Sequence, residues 1–167
     1  MYKHILIPTD RSALSRKAAV NGVKLVKAVG ASVTGFYAAP PATPLAYKGL
    51  LPVYTVPQKH ARAIERARKQ YLEVIERTAK AAGVRCRTVS ATNDFPADAI
   101  VAAAKRYGCD LIFIASHGRR GLTGLLLGSQ TQKALSQSRA RYWSIDDLLA
   151  SARVPSALSA VIAALAR

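Results

Sequence analysis

Short apolar runs and helical apolar stripes alternate along the first four fifths of the chain. The runs predict four β-strands, at about 4–7, 32–39, 84–90 and 110–115. The stripes, with apolar residues at i, i+3, i+4 and i+7, predict helices at about 12–29, 57–82 and 96–107. Strands that alternate with helices favour βαβ units, so the pattern predicts an α/β fold with an open parallel sheet.

Local signals define several of these elements more closely. Ser12 is a candidate N-cap for the first helix, and Gly30 a candidate stop. The inward face of this helix is predicted to carry Ala19, Gly22, Val23 and Val26. The second helix, which Gly83 ends, has an apolar stripe of Ile64, Tyr71, Ile75, Ala79 and Ala82. The run at 110–115 is apolar throughout, which is typical of a central strand that is buried on both faces.

Composition narrows the class of protein. A chain of 167 residues suits one domain. No apolar run is long enough to cross a bilayer, and the N-terminus goes straight into a strand without the features of a signal peptide. Cys86 and Cys109 lie far apart with no clustered His, which argues against a structural disulfide or a metal site. We therefore expect a cytoplasmic protein with no membrane association.

The chain is strongly basic, with 25 Lys and Arg against 9 Asp and Glu and a net charge of +16. Such a charge attracts nucleic acid, anionic membranes and phosphorylated small molecules. The basic residues are scattered over several segments, however, without a dense block or interleaved aromatic residues. We therefore expect a solvated basic surface and no specific nucleic-acid partner.

A glycine-rich segment, Ser116-His-Gly-Arg-Arg-Gly-Leu-Thr-Gly-Leu-Leu-Leu-Gly-Ser129, follows the fourth strand and precedes a further predicted helix. Glycines allow a ligand to approach the backbone, and the N–H groups at a helix start attract anions. No Gly-Lys-Ser/Thr occurs, and the dinucleotide fingerprint belongs after the first strand. Spacing alone therefore predicts only an anion site.

This segment and the opening Met1-Tyr-Lys-His-Ile-Leu-Ile-Pro-Thr-Asp10 closely resemble the universal stress protein family. Its ATP-binding branch has Gly, two residues, Gly, nine residues, then Gly-Ser or Gly-Thr. In this chain the frame reads Ala115, two residues, Gly118, nine residues, then Gly128-Ser129. The resemblance covers about residues 1–138. It implies a Rossmann-like fold, similar to that of the adenine nucleotide alpha hydrolases, with helices on both sheet faces.

The resemblance also implies a set of ATP-binding residues and no catalytic residues. Asp10 would lie beside the adenosine, with Pro8 and Thr9 shaping the floor and Ala38 packing on the adenine. The phosphates and ribose would be held by Ala115, Gly118, Arg119, Gly128, Ser129 and Gln130. The expected cofactor is ATP, either alone or with magnesium. Asp10 has a simpler alternative role, which is to cap the first helix.

Two positions depart from the family pattern. Ala115 replaces the first glycine and adds a methyl group where the ligand approaches. Arg11 replaces the glycine that usually follows the aspartate, and its cation would either bind phosphate or block the pocket. His117 follows Ser116 in the loop, but no acidic residue at informative spacing supports a catalytic triad, so we assign it a structural role.

The resemblance ends after about Ser138, where the family continues into a final strand similar to Pro-Val-Leu-Val-Tyr-Arg. Codons for Tyr142-Trp143 give Leu when read from their third base, and Trp143-Ser144 gives Val for any TCN serine codon. We infer a frameshift, either in the gene or in its sequencing, that replaced the final strand. Residues 1–138 would then form the domain, and 139–167 an atypical, partly helical tail. The family's homodimer, which pairs this strand with its counterpart, should be weakened.

The leading hypothesis is a stress-response regulatory protein that binds ATP and is not an enzyme, although slow ATP hydrolysis is compatible with it. One alternative is a universal stress protein that does not bind nucleotide and acts through partners. Another is a basic protein that associates with nucleic acid. An adenylyl-transferring enzyme of related topology ranks last, because the His-Ile-Gly-His sequence of many such enzymes is absent.

Overall fold

The computed structural model describes residues 2–10, 12–41, 57–114 and 141–144. The elements in chain order are β1 (His4–Pro8), α1 (Ala13–Val29), β2 (Ser32–Ala39), α2 (Pro57–Ala82), β3 (Cys86–Thr92), α3 (Pro96–Arg106), β4 (Leu111–Ile114) and β5 (Arg141–Ser144). The strands form one parallel sheet in the order β3-β2-β1-β4-β5. This arrangement confirms the predicted open α/β fold.

The hydrogen bonds at the ends of α1 confirm both of its predicted caps. Ser12 Oγ accepts a hydrogen bond from the Ser15 backbone N–H at 3.0 Å, which satisfies one of the donors at the helix start. Gly30 adopts a left-handed φ of 68°. Its N–H donates to the carbonyl of Lys27, and the N–H of Ala31 donates to the carbonyl of Val26. The helix therefore stops at the residue that the sequence indicated.

The third strand begins two residues later than the sequence pattern predicts. The backbone N–H of Val84 donates to the Ala79 carbonyl at 2.9 Å and so closes the end of α2. Val84 therefore belongs to the turn that Gly83, with a φ of 69°, starts. Sheet pairing starts with the Arg85 carbonyl, which accepts from the N–H of Val33 at 3.0 Å.

Helices cover both faces of the sheet and divide the core into two layers. On one face, α1 and α2 pack against β1, β2 and β4, and the predicted inward faces of both helices contribute to this layer. Its fully buried members include Ile5, Ile7, Val23, Ile75 and Phe113. The other layer packs α3 against the sheet and contains Leu6, Phe36, Ala103, Ala104 and Ile112. In the described part of the chain, no helix has the length and apolar character that crossing a membrane requires.

The expectation that the final strand is missing is wrong. Arg141–Ser144 pairs in parallel with β4, with Leu111 opposite Arg141 and Ile114 opposite Ser144. The inner strand β4 would otherwise leave a row of N–H and C=O groups without partners, and backbone pairing does not require one particular side-chain sequence. Two of the four residues are aromatic, a type that strands favour. The first residues of the proposed tail therefore belong to the sheet, while its predicted helical part lies outside the described residues.

Candidate functional site

The residues predicted to bind the adenosine lie at the carboxyl ends of neighbouring strands. Pro8 is the last residue of β1 and lies opposite Phe36 of β2. The Thr9 backbone N–H donates to the Phe36 carbonyl at 2.9 Å, so the chain continues alongside β2 beyond the end of β1. In open α/β sheets, ligands bind at this carboxyl edge.

Thr9 is buried and anchors the turn between β1 and α1. Its Oγ1 lies 3.2 Å from Ser15 Oγ. The Ser15 hydroxyl donates its proton to the Ser12 carbonyl at 3.1 Å, so it accepts a hydrogen bond from Thr9. This chain of hydrogen bonds fixes the end of β1 on the first turn of α1. The role of Thr9 in the floor of the site stays a prediction.

Asp10 shapes the backbone that leads into α1. Its Oδ1 accepts a hydrogen bond from the Ser12 backbone N–H at 2.9 Å, an Asx turn. The helix cap itself is Ser12, so the alternative role for Asp10 is correct only in part. The carboxylate orients the capping residue and lies half-buried at the carboxyl edge of the sheet.

Ala38 lies next to the end of β2, opposite Ala91 of β3, and is half-buried. Its methyl group packs against the core layer under α3. Because β1 and β2 are adjacent and parallel, Ala38 lies at the same edge of the sheet as Asp10. The structure thus brings together all four of the predicted site residues that it describes: Pro8, Thr9, Asp10 and Ala38.

Sequence reasoning missed an exposed aromatic side chain at this edge. The Asn93 N–H donates to the Ala39 carbonyl at 3.1 Å, and Asn93 Oδ1 accepts from the Phe95 N–H at 2.8 Å. This second Asx turn holds Phe95 just before α3 with 57% of its surface exposed. The Asn-Asp-Phe-Pro sequence was the available signal, because Asn before a proline-initiated helix favours such a turn.

The remaining predicted site residues, Ala115, Gly118, Arg119, Gly128, Ser129 and Gln130, lie outside the described residues, as does Arg11. The strand that leads to them is in place. β4 lies between β1 and β5, and it ends at Ile114 at the same carboxyl edge as Asp10. Topology therefore places the end of β4 next to the described half of the site, while the contacts of the glycine-rich segment stay predictions.

A second polar cluster lies at the opposite, amino edge of the sheet. The Asp110 carboxylate accepts hydrogen bonds from the backbone N–H groups of Lys3 at 2.7 Å and His4 at 3.1 Å. His4 Nε2 lies 2.7 Å from Oγ1 of the buried Thr34. Burial lowers the pKa of His4, against the raising effects of the Tyr107 carbonyl and Asp110. These bonds tie the start of β1 to the start of β4.

The cysteines have the character of inert thiols. Burial raises the pKa of Cys86 and of Cys109 to about 11, so both are protonated at neutral pH. Within the described ranges, no group of three His, Cys, Asp or Glu residues could hold a metal ion.

Comparison with protein families matches residues 1–141 to the model of the "Universal stress protein family". Among curated proteins, a universal stress protein of Methanocaldococcus jannaschii is 28% identical over 138 residues, which are 83% of this chain and 78% of that protein. A universal stress protein of Bacillus subtilis is 29% identical over 137 residues, 80% of this chain and 91% of its own.

Solved structures show the same fold. A universal stress protein in complex with cAMP has a TM-score of 0.55 and 24% identity, over 86% of this chain and 95% of that chain. An Arabidopsis thaliana universal stress protein family protein with AMP bound has a TM-score of 0.54 and 15% identity, over 85% and 91% of the two chains. Both agree with the observed architecture of an open parallel sheet with helices on its two faces.

Proposed function

Because the chain belongs to the universal stress protein family, we propose that it is a stress-response regulatory protein that binds ATP at the carboxyl edge of its sheet. The observation that carries the proposal is the arrangement of Pro8, Thr9 and Asp10 beside Ala38 at adjacent strand ends. This is the place where α/β sheets bind nucleotides. The end of β4 at Ile114 adds the strand that leads into the glycine-rich segment.

The geometry of Asp10 supports adenosine binding. One carboxylate oxygen holds the turn through the Ser12 N–H, which fixes the orientation of the group. A carboxylate accepts several hydrogen bonds, so the same group can also accept from ribose hydroxyls. The small side chain of Ala38 leaves space for a planar base, and the helix start at Ser12 is already satisfied by its own cap.

The similar proteins support nucleotide binding in general, and they do not single out ATP. Two proteins with this fold are described with cAMP or AMP bound. The glycine frame and the basic Arg119 favour a ligand with more than one phosphate, so we assign ATP. Magnesium would accompany the phosphates. In this proposal the protein is a binding protein and not an enzyme, and any ATP hydrolysis is slow.

A family member that has lost nucleotide binding is the second candidate, and specific residues favour it. Arg11 adds a large cation next to Asp10, and Ala115 adds a methyl group at the first position of the glycine frame. In that case the protein would act through partner proteins. With or without nucleotide binding, we propose that the protein is cytoplasmic and forms the homodimer of the family.

Calorimetric titration of the purified full chain with ATP and magnesium tests the proposal. Parallel titrations with AMP and cAMP separate recognition of the adenosine from recognition of the polyphosphate. We expect heat of binding with ATP, and weaker binding of AMP and cAMP, because they lack the β- and γ-phosphates. Absence of both heat and thermal stabilisation at millimolar ATP would favour the candidate that does not bind nucleotide.

A further inference from the structure

Three arginines from two segments that are distant in the sequence converge on one surface at the amino edge of the sheet. Arg85 and Arg87 flank the start of β3, and Arg106 is the last residue of α3. The guanidinium carbon of Arg87 lies 5.5 Å from the centroid of the Tyr107 ring, and that of Arg106 lies 5.9 Å from it. We call Arg85, Arg87 and Arg106, together with Tyr107, the arginine cluster.

The sheet register places Arg85 in this cluster. Arg85 and Arg87 are two residues apart on an extended segment, so their side chains leave the same face. Arg87 lies opposite Thr34, whose hydroxyl contacts His4. Positive charge from Arg87 and Arg85 is also among the causes that lower the pKa of His4, behind burial, which agrees with both arginines lying on this side of the sheet.

The described carboxylates leave this positive charge largely uncompensated. Two side-chain ion pairs of the described residues, Arg68 with Glu65 and Arg77 with Glu73, lie on α2 and do not involve the cluster. Asp110 lies near the cluster, but its carboxylate accepts from two backbone N–H groups, those of Lys3 and His4. All three arginine side chains are exposed. Cation–π contacts with Tyr107 and the dipole at the end of α3 hold two of the cations without neutralising them.

We propose that the arginine cluster is a docking surface for the phosphate backbone of nucleic acid, bound without sequence preference. Guanidinium groups match phosphate geometry and form paired hydrogen bonds with it. The cluster offers guanidinium donors for phosphate oxygens, and contacts to phosphates carry no sequence information, so docking on the backbone is independent of sequence. The net charge of +16, distributed over the whole chain, is complementary to a long and uniform polyanion.

This surface is separate from the proposed nucleotide site. The arginine cluster lies where the strands start, with Tyr107 directly after α3 and the Asp110 N–H bonded to the His4 carbonyl. The candidate ATP site lies where the same strands end, beyond Pro8 and Ala38. ATP and nucleic acid can therefore be bound at opposite edges of one sheet, and neither proposal depends on the other.

The test measures binding of the full chain to a short mixed-sequence DNA duplex labelled with fluorescein, by anisotropy, between about 50 and 200 mM salt. The test variant is Arg85→Gln/Arg87→Gln/Arg106→Gln. Its matched control is Arg62→Gln/Arg66→Gln/Lys69→Gln, which removes the same charge from exposed positions of α2. General electrostatic attraction predicts equal losses in the two variants.

We expect the test variant to bind at least about tenfold more weakly, and the slope of log affinity against log salt to fall by about 2.7 for three lost phosphate contacts. The control should lose far less, and ATP binding should be the same in all three proteins. A charge-preserving variant, Arg85→Lys/Arg87→Lys/Arg106→Lys, should lose less DNA affinity than the glutamine variant, because lysine still binds phosphate as a point charge although it lacks the paired hydrogen bonds of a guanidinium group.

Several outcomes would overturn the proposal. One is no binding of the unaltered chain at the lowest salt, and another is an equal loss in the test and control variants. If the lysine variant loses as much as the glutamine variant, the effect comes from packing on Tyr107 and not from charge. If polyglutamate displaces the duplex as well as unlabelled DNA does at equal charge, the surface fits acidic proteins instead.

Discussion

Gly22 of α1 lies so close to Ile7 of β1 that a Cβ atom on the glycine would stand 2.6 Å from Ile7 Cδ1. The same atom would stand 2.8 Å from Phe113 Cδ1 on β4, and both side chains are fully buried. The helix can therefore rest directly on the two strands that lead to the candidate nucleotide site. The sequence predicted that Gly22 faces inward, but not this close contact.

We predict that Gly22→Ala destabilises the protein despite the better helix propensity of alanine. Overpacking a core costs about 1–3 kcal/mol, against a propensity gain of about 1 kcal/mol. Urea denaturation should show a lower midpoint for this variant, whereas the exposed Lys24→Ala should change the free energy of unfolding by less than about 0.5 kcal/mol. A Gly22→Ala protein as stable as the unaltered chain would show that α1 can move away from the sheet without cost.

His4 should make stability depend on pH. Burial lowers its pKa in the folded state, so between the folded and unfolded pKa values the unfolded chain binds the proton and the folded chain does not. The contribution to stability is therefore complete above the unfolded value of about 6.5 and is lost as the pH falls below it. Melting temperatures from pH 8 to 5 should fall more steeply for the unaltered chain than for His4→Gln.

The matched control for this experiment is His60→Gln, which removes an imidazole from α2 instead. The melting temperature of this control should fall with pH as steeply as that of the unaltered chain. Parallel pH profiles for the unaltered chain and His4→Gln would contradict the prediction, because they would mean that His4 binds its proton equally well in both states.

Variants of Asp10 and Ser12 should distinguish the contribution to ligand binding from the contribution to helix capping. Asp10→Asn keeps an oxygen that can accept from the Ser12 N–H, so the turn should persist, but the variant loses the charge. We expect it to weaken ATP binding by about tenfold or more, since hydrogen bonds to charged groups contribute about 1.5–3 kcal/mol. Ser12→Ala should do the reverse, with stability lower by about 1 kcal/mol and ATP affinity almost unchanged. Calorimetry measures the ATP affinity of the two variants, and denaturation measures their stability. If Asp10→Asn binds ATP as tightly as the unaltered chain, the result contradicts the proposal.

Gly128→Val should abolish ATP binding, because a branched side chain would occupy the space of a phosphate in the predicted loop. The variant must keep the circular dichroism and melting behaviour of the unaltered chain for the comparison to hold. Undiminished ATP affinity in such a folded variant would move the phosphate site away from this glycine.

The final strand allows a test of the frameshift and of the dimer together. Residues 141–144 pair with β4 at the place where the proposed frameshift would have replaced Val-Leu-Val, so in this hypothesis the new sequence supplies the backbone of the edge strand. We now predict that sedimentation will show similar dimerisation for this chain and for one restored to end in Val-Leu-Val-Tyr-Arg. A chain that stops at Ser138 should dimerise less, because it lacks the edge strand.

Genomic DNA gives an independent check on the frameshift. The codons of residues 140–144 should read as Pro-Val-Leu-Val when they are translated from the third base of each codon, and any other reading would exclude this origin of the tail.

In the sedimentation experiment, stronger dimerisation of the restored chain than of this chain would contradict the prediction. It would show that the backbone of the edge strand is not sufficient and that the aliphatic side chains of the family strand are needed.

The sequence by itself determined the elements and their order. Periodicity and caps are local, and so the bounds of α1, with Ser12 and Gly30, and of β2 at Ser32–Ala39 agree with prediction. The edge at which Asp10 and Ala38 lie was predictable for a related reason. In a parallel sheet every strand end lies on one edge, so both residues lie at that edge once the βαβ pattern is correct, and the adjacency of β1 and β2 makes them neighbours.

The tertiary structure decided what depends on pairing between distant segments. Residues 141–144 form a strand through pairing with β4, a distant segment, and the two aromatic residues are the only local signal that favours it. Arg87 and Arg106 are far apart in the sequence, yet the packing of α3 on the sheet brings Arg87 to the ring of Tyr107, which follows Arg106 in the chain. Charge clusters of this kind form across the fold, because neighbours on a surface come from the crossing of elements and not from their order in the sequence.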